Sequence, residues 1–230
     1  MMFKIKRMIA SYPEIRLEQR DGAKLRGFFA AKDINDILLH QHDAEKFRYR
    51  YPLVQYKVLH HTPHVVAFEE GISSVYPQLM EDAPLTIGDT AYPTDSLSIR
   101  LDSVWIGDCK EMRGYRFATP WLCLNQENYR RYQECTPEEK TALLDKILIG
   151  NILSLTKSLG IEVKGRLEAK TELKEIAVNF KNERMRGFIG GFWVNYTIPD
   201  LLGLGKSVSR GFGTVKHIKE QKGDCENELL

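Results

Sequence analysis

The sequence lacks an apolar run that could cross a membrane. A spanning helix needs about 20 consecutive apolar residues, and no hydrophobic stretch of this chain approaches that length. The first twenty residues, MMFKIKRMIASYPEIRLEQR, also lack the apolar core of a secretion signal. We therefore expect a cytoplasmic protein without a membrane partner.

Cysteine is scarce, with four among 230 residues, and the four are widely spaced: Cys109, Cys123, Cys135 and Cys225. Zinc ribbons and redox dithiols need closely spaced pairs such as CxxC, which this chain does not contain. Low-complexity segments are absent too. We expect a folded protein with reduced structural thiols, no cofactor and no bound metal.

Charge is distributed unevenly, although the formal net charge is only +2. Residues 1–62 contain 12 Lys and Arg against 7 Asp and Glu, and residues 181–219 contain 7 against 2. Residues 69–111 show the reverse, with 2 Lys and Arg against 9 Asp and Glu. The two basic regions either form one electropositive face for a polyanion or lie on unrelated surfaces.

Residues 1–110 alternate between strand and helix patterns. Strand-forming residues at the N-terminus, at 51–60 and at 65–68 are separated by helical patterns that begin after the N-cap candidate Asp21 and again at 71–80. With a final strand before residue 110, the order is βαββαβ. This order predicts an α+β, ferredoxin-like unit.

Residues 111–230 predict a second α+β unit, which gives two domains, 1–110 and 111–230. Thr136 as N-cap and Pro137 at the first helical position mark the start of a long helix. Strand-forming residues follow it at 162–170, 172–179 and 186–198.

The stretch Leu201–Lys219, LLGLGKSVSRGFGTVKHIK, contains two GxG pairs with a basic spacer between them. Glycines let backbone N–H groups approach a ligand closely, and Lys, Ser and Arg add donors, so the stretch suits phosphate oxygens. It lacks the GxxxxGK[ST] pattern of nucleotide-binding loops. The alternative is a glycine-rich connection whose charges are merely solvated.

The candidate RNA-binding residues here are Gly203, Gly205, Lys206, Ser207, Ser209, Arg210, Gly211 and Gly213. Arg184 and Arg186 are further candidates for phosphate contacts.

The segment GLGKSVSRGFG resembles the C-terminal glycine-rich loop of the CRISPR-associated RAMP proteins. The N-terminal half is similar to one branch of them, the "Cas six" pre-crRNA-processing endoribonucleases of subtype b, in LRGFF (25–29), HQH (40–42), RYPLVQYKV (50–58) and FEEG (68–71). This resemblance implies tandem ferredoxin-like (RRM-like) folds closed by the glycine-rich loop, and binding and cleavage of CRISPR repeat RNA. Other CRISPR effector subunits and a second copy of the chain are further candidate partners.

RNA cleavage by the RNA's own 2′-hydroxyl needs a base, an acid and positive charge near the phosphate, and histidine suits both proton roles. His40 and His42 can face one phosphate if their backbone is extended, so we expect them at or beyond the end of the first helix. In the family that the sequence resembles, such a pair supplies the acid and the base. A lysine ten residues before the second histidine and a tyrosine seven after it assist, which here are Lys32 and Tyr49.

Three other interpretations of the histidine pair stay open at this point. His40 and His42 could bind a metal ion together with His60, His61 or His64, although no carboxylate or cysteine stands at a familiar ligand spacing. They could be purely structural. The chain could also be an RNA-binding subunit of a CRISPR effector complex without catalytic activity. His60, His61 and His64 flank a predicted hairpin turn, where we expect them to be exposed.

Overall fold

The computed structural model describes residues 1–32, 51–180 and 183–218. In chain order its strands are β1 (Met2–Ser11), β2 (Val54–Leu59), β3 (Thr62–Phe68), β4 (Leu85–Ile87), β5 (Thr90–Tyr92), β6 (Ser98–Trp121), β7 (Ala169–Phe180), β8 (Glu183–Thr197) and β9 (Val215–His217). Its helices are α1 (Gly22–Lys32), α2 (Glu70–Leu79), α3 (Gln126–Glu134) and α4 (Pro137–Ser158), with short 3₁₀ turns at Gln19–Asp21 and Val208–Arg210. None of the described helices is both long and apolar enough to span a membrane.

The N-terminal half has the predicted βαββαβ order. Its strands lie side by side as β2-β3-β1-β6, and each neighbouring pair is antiparallel. This arrangement is the ferredoxin-like sheet, with α1 and α2 packed against one face through Leu25, Phe29 and Val75. The α+β fold expected from the sequence is confirmed.

The start of α1 differs in detail from the prediction. Asp21 is the last residue of the 3₁₀ turn rather than the N-cap of the helix. Its carboxylate accepts a hydrogen bond from the Glu18 amide at 3.1 Å and pairs with Lys24 at 2.9 Å. The acidic side chain therefore stabilises the 3₁₀ turn that leads directly into α1, which begins at Gly22.

Strand β6 connects the two halves of the molecule. Its first part, Ser98–Gly107, pairs with β1, and its second part pairs with β8 and β9. The strand crosses the predicted division after residue 110, so the sheet continues through it. Beyond β8 the sheet ends with β7, a single strand that begins at Ala169, whereas the sequence predicted separate strands at 162–170 and 172–179.

Helix α4 covers the second half of the sheet and begins where the sequence predicted. Thr136 caps it by accepting a hydrogen bond from the Glu139 amide at 3.3 Å, while the Glu139 carboxylate accepts one from the Thr136 amide at 2.8 Å. Leu148 and Ile152 are fully buried on its inner face. They belong to the same core as Phe192 of β8.

We expect Thr136→Ala to lower the free energy of unfolding by about 1 kcal/mol, because it leaves the Glu139 amide without its side-chain acceptor. Urea denaturation followed by circular dichroism measures the change. Thr141→Ala is the matched control, since Thr141 lies inside the same helix on its exposed side. Alanine favours a helix interior, so the control should be neutral or slightly stabilising. Equal losses in both variants would contradict the role of the cap.

Candidate functional site

The glycine-rich loop, residues 201–213, lies between β8 and β9 and packs on the N-terminal half. Gly211 has φ 91° and stands so close to β2 that a Cβ there would be 3.0 Å from the Tyr56 carbonyl oxygen. On α1, a Cβ at Gly22 would be 2.8 Å from the carbonyl oxygen of Arg210. Both glycines are needed because the two backbones touch without side chains between them.

A buried hydrogen-bond network holds the first glycine of this loop to β2. The Gly203 amide donates to Gln55 Oε1 at 3.0 Å, and the Gly203 carbonyl accepts a hydrogen bond from the Tyr51 hydroxyl. Gln55 Nε2 donates to the Tyr51 oxygen at 2.9 Å. The ammonium of Lys57 donates to Gln55 Oε1, also at 2.9 Å. Both polar groups of the Gly203 backbone are thereby satisfied by side chains of the other half.

Lys57 is fully buried in this network. Burial lowers the pKa of its ammonium from 10.5 to about 7, because a charge is poorly solvated in the protein interior. Its neighbour across the sheet is His64, whose pKa is also lowered, first by burial. A titratable group therefore lies directly beneath the glycine-rich loop.

Two other glycines of the loop are required by its own folding. Gly213 has φ 63°, and a Cβ there would fall inside the van der Waals radius of the Leu204 carbonyl oxygen. Gly205 has φ 89°, and its Cβ would stand 2.6 Å from the carbonyl oxygen of Leu122. The pattern that predicted a phosphate site thus also has a packing function, and phosphate binding by these glycines stays a prediction.

The side chains of the loop differ in what they offer to a ligand. Lys206 points into the protein, where its ammonium donates to the Leu124 carbonyl at 2.9 Å and burial lowers its pKa. Ser209 is buried, while Ser207 is half-buried and has φ 57°. Of the predicted phosphate contacts in the loop, Lys206 and Ser209 are therefore tied to the protein itself.

Arg210 lies on the surface of the loop. Its guanidinium is 5.4 Å from the ring centre of Phe180, at the end of β7. Its charge also contributes to lowering the pKa of Arg26 in α1, after burial of that side chain. Two arginines from opposite halves of the molecule are therefore close together.

The structure brings the end of the β7–β8 hairpin to the same place. Phe180 contacts Phe212 of the loop, with ring centres 5.4 Å apart. The predicted residue Arg184 is exposed on β8, opposite Asn179. Arg186 lies two residues further along, paired with Glu175 at 3.2 Å. Arg210 thus lies beside an aromatic contact between the hairpin and the loop, which no sequence spacing indicated. Arg184 is exposed near the same end of the hairpin.

Lys32 lies at the C-terminal end of α1. Its ammonium pairs with Glu81 at 2.7 Å, donates to the Gln78 carbonyl at 3.3 Å and is 4.8 Å from the ring centre of Phe28. At 1.5 Å per residue, the helix places Lys32 about 15 Å from Gly22, where α1 contacts the loop.

The predicted catalytic residues His40, His42 and Tyr49 lie outside the described residues. The described residues stop at Lys32 and resume at Tyr51, whose hydroxyl donates to the Gly203 carbonyl.

The turn histidines have the predicted position. His60 and His61 form the β2–β3 turn with φ 49° and 64° and are exposed, whereas His64 is half-buried in β3. Its Nδ1 lies 2.8 Å from the Thr62 carbonyl oxygen. Within the described ranges, no group of three or more His, Cys, Asp or Glu residues is arranged to hold a metal ion.

Sequence reasoning missed Tyr51, Gln55 and Lys57 as site residues. The signal was the pair of polar residues at alternate positions in the otherwise apolar strand LVQYKVL. Alternate positions share one face of a strand, so a polar pair there indicates a polar partner on that face.

Comparisons with known proteins agree over nearly the whole chain. A family model described as the Cas6b N-terminal domain matches residues 1–104, and one described as the Cas6b C-terminal domain matches residues 108–218. A crystal structure of Cas6b is 37% identical with a TM-score of 0.89, over 94% of this chain and 100% of that one. A CRISPR RNA processing endoribonuclease Cas6b is 35% identical with a TM-score of 0.77 over the same shares.

More distant comparisons support the fold or add a relative. A RAMP protein binding different RNA substrates shares the fold, with 10% identity and a TM-score of 0.56 over 94% of this chain and 100% of that one. An uncharacterized protein of Methanocaldococcus jannaschii is 43% identical over 115 residues, which are 50% of this chain and 78% of that protein.

We expect Gly213→Ala to lower the free energy of unfolding by at least about 2 kcal/mol, because the new methyl group would collide with the Leu204 carbonyl at a positive φ. Gly150→Ala in α4 is the matched control, since no atom lies within 4 Å of a Cβ there. The control should gain up to about 1 kcal/mol from helix propensity. Both values come from urea denaturation, and a Gly213→Ala protein as stable as wild type would contradict the close approach.

We expect the stability of the wild type to rise relative to Lys57→Met as the pH increases above 7. Between the folded pKa of about 7 and the ordinary value of 10.5, the unfolded chain binds more protons at this lysine than the folded chain. The cost of burying the charge is therefore complete below pH 7 and is relieved towards pH 10.5. One pKa unit corresponds to about 1.4 kcal/mol, so the effect should be several kcal/mol. Urea denaturation of both proteins from pH 6 to 9.5 measures it, and a constant difference would show that Lys57 titrates normally.

Proposed function

Because the chain belongs to the Cas6b family of CRISPR RNA-processing endoribonucleases, we propose that it cuts CRISPR repeat RNA by attack of the RNA's own 2′-hydroxyl, without a metal ion, and that His40 and His42 transfer the protons. The product is mature crRNA. The observation that carries the proposal is the hydrogen bond from the Tyr51 hydroxyl to the Gly203 carbonyl. Tyr51 follows His42 by nine residues in the sequence, so the chain that carries the histidine pair is attached to the glycine-rich loop close to that pair.

The chemistry requires two proton transfers at one phosphate. A base removes the proton of the 2′-hydroxyl, the 2′-oxygen attacks phosphorus, and an acid protonates the departing 5′-oxygen. The products are a 2′,3′-cyclic phosphate and a 5′-hydroxyl. Two imidazoles, one neutral and one protonated, perform these steps near neutral pH.

Lys32 and Tyr49 have supporting roles in the proposal. A lysine ammonium stabilises the additional negative charge on phosphorus oxygens in the transition state. The Lys32 side chain is 17% exposed and its ammonium is paired with Glu81, so an RNA phosphate would reach it by displacing the more exposed Glu81 carboxylate. Tyr49 is assigned to the orientation of the ribose.

RNA backbone binding is assigned to the glycine-rich loop and the neighbouring hairpin. Arg210 is half-buried and lies over Phe180, beside the Phe180–Phe212 contact. Arg184 is exposed on β8 near the same end of the hairpin, and Arg186 lies two residues further along that strand. Gly205 and Ser207 are the candidates for backbone donors to phosphate. Gly203, Gly211 and Gly213 are buried and donate their amides to Gln55, Val208 and Pro120, so they act with Lys206 and Ser209 by holding the loop in shape. This division follows from where the Lys206 ammonium donates its hydrogen bond.

The proposal extends to location and partners. We expect the protein to act in the cytoplasm on repeat-containing transcripts. Other CRISPR effector subunits are the partners that would receive the cut RNA, and a second copy of the chain is a further candidate.

We expect His40→Ala and His42→Ala each to slow single-turnover cleavage of the cognate repeat by at least ~100-fold, with repeat affinity nearly unchanged, because each variant lacks one proton-transfer group. Gln41→Ala, the residue between them, is the matched control and should cut at the wild-type rate. Reactions run in excess EDTA, and both new ends are mapped. Wild-type rates in both histidine variants would refute their assignment, and loss of cleavage in EDTA would refute the metal-free mechanism.

A further inference from the structure

A cleft of about 290 Å³ lies where the β2–β3 turn approaches strands β6 and β9. His60 and His61 line it from the turn, Arg116 from β6 and Lys216 from β9, with Glu18 at one side. We call it the His60–Lys216 cleft. None of its residues belongs to the glycine-rich loop or to the proposed catalytic set.

Two permanent cations of this cleft are direct neighbours. Arg116 and Lys216 are register partners in the antiparallel pair of β6 and β9. Directly opposite residues have Cβ atoms about 5 Å apart on the same face, where like charges destabilise the sheet. Within the described part of the chain, neither side chain has a hydrogen bond or an ion pair. The arrangement is unfavourable for the protein alone and is relieved by a bound anion.

The other charged groups around the cleft do not neutralise it. Glu18 is the one carboxylate among the described lining residues, and it lies 3.5 Å from His61 Nδ1. The pKa of the adjacent His64 is lowered mainly by burial, and Lys216 and His60 lower it further. Positive potential therefore extends from the cleft into the sheet.

We propose that the His60–Lys216 cleft binds a phosphodiester of the repeat RNA, as a second backbone site in addition to the glycine-rich loop. This inference rests on the proposed function, since it takes repeat RNA as the ligand. Arg116 and Lys216 would pair with the phosphate oxygens, and the imidazole N–H groups of the turn would donate hydrogen bonds.

The cleft and the Tyr51–Gly203 contact of the glycine-rich loop lie near opposite ends of β2. The strand runs from Val54, three residues after Tyr51, to the turn at His60, which at about 3.3 Å per residue is about 20 Å. At a rise of about 3.4 Å for stacked nucleotides, this distance corresponds to roughly six nucleotides. The cleft would therefore contact the RNA backbone some nucleotides away from a phosphate held near Gly203.

The shape of the cleft favours a nucleic-acid strand over an acidic protein surface. Its volume is at the lower end of small-ligand pockets, about 300 to 1,000 Å³, so it admits one backbone unit rather than a helix or a duplex. Val58 and Leu59 contribute apolar surface beside the cations. A sugar and a phosphate match this combination of apolar and cationic groups.

The test is the double variant Arg116→Gln with Lys216→Gln, assayed for equilibrium binding of the cognate repeat at several salt concentrations. The repeat carries a 2′-deoxynucleotide at its mapped cleavage site, so that the RNA stays intact whichever residues transfer the protons. Affinity at low salt should fall by tenfold or more. The salt dependence, d log K/d log[salt], should decrease in magnitude by about 1.4, because each phosphate contact to a single strand contributes about 0.7.

A series of repeats shortened one nucleotide at a time from each end locates the contact. Once the nucleotides that reach the cleft are removed, the double variant and its parent should bind equally well. Lys4→Gln with Lys6→Gln is the matched control, because it removes two exposed lysines from a single strand, β1. The control should lose less than threefold in affinity.

Folding and function can be separated in this test. Removing both opposed like charges should leave the thermal midpoint unchanged or raise it, so a double variant that binds more weakly with a midpoint no lower than wild type supports the proposal. Unchanged affinity and salt slope for the full repeat would overturn it, as would an equal loss for full and shortened RNAs. Neither result depends on the histidine assignment, because binding is measured without cleavage. Conversely, failure of the catalytic proposal would appear only in the cleavage assay.

Discussion

The attachment of Gly203 to β2 is the constraint on which the candidate site depends. Its amide and carbonyl are both bonded to side chains of the N-terminal half, Gln55 and Tyr51, inside the protein. A buried backbone group that loses its partner costs about 1 to 3 kcal/mol, so the loop has little freedom to leave the strand. The glycines around Gly203 let the backbone follow this path, and Arg210 is positioned as a result. The orientation of the two halves and the shape of the loop are thus determined by the same few bonds.

The buried Lys57 lowers the stability of the protein at the place where Gly203 is attached to β2. A buried ammonium with one side-chain acceptor is a poor choice for stability, and an apolar residue of similar size would serve the core better. Sequences break such local rules most often at functional sites. The opposed cations Arg116 and Lys216 follow the same pattern on the surface. In both places the protein carries charge that its own fold does not need, next to the elements that are assigned to RNA.

Much of the fold could be predicted because local patterns and tertiary structure agree. The Thr136–Pro137 start of α4 is determined by capping within four residues, and the βαββαβ order follows from alternating periodicities. The predictions failed where two strand patterns were contiguous, as at 162–179, since apolar Val163 and Leu167 pack on the core from a loop without joining the sheet. Asp21 directly precedes α1 as expected, but its carboxylate bonds back to the Glu18 amide of the 3₁₀ turn, because a carboxylate can stabilise such a turn as well as a helix start.

For the site, the sequence by itself determined which chemistry is available: a histidine pair, a loop of glycines with basic residues, and the family to which they point. Only the tertiary structure decided which of those groups face solvent. Lys206 and Arg210 look alike in the sequence, yet the Lys206 ammonium donates to the Leu124 carbonyl, whereas the Arg210 guanidinium lies over the half-buried ring of Phe180. The physical reason is that hydrogen bonds and desolvation depend on partners more than 80 residues away, such as Leu124 for Lys206, which no local pattern encodes.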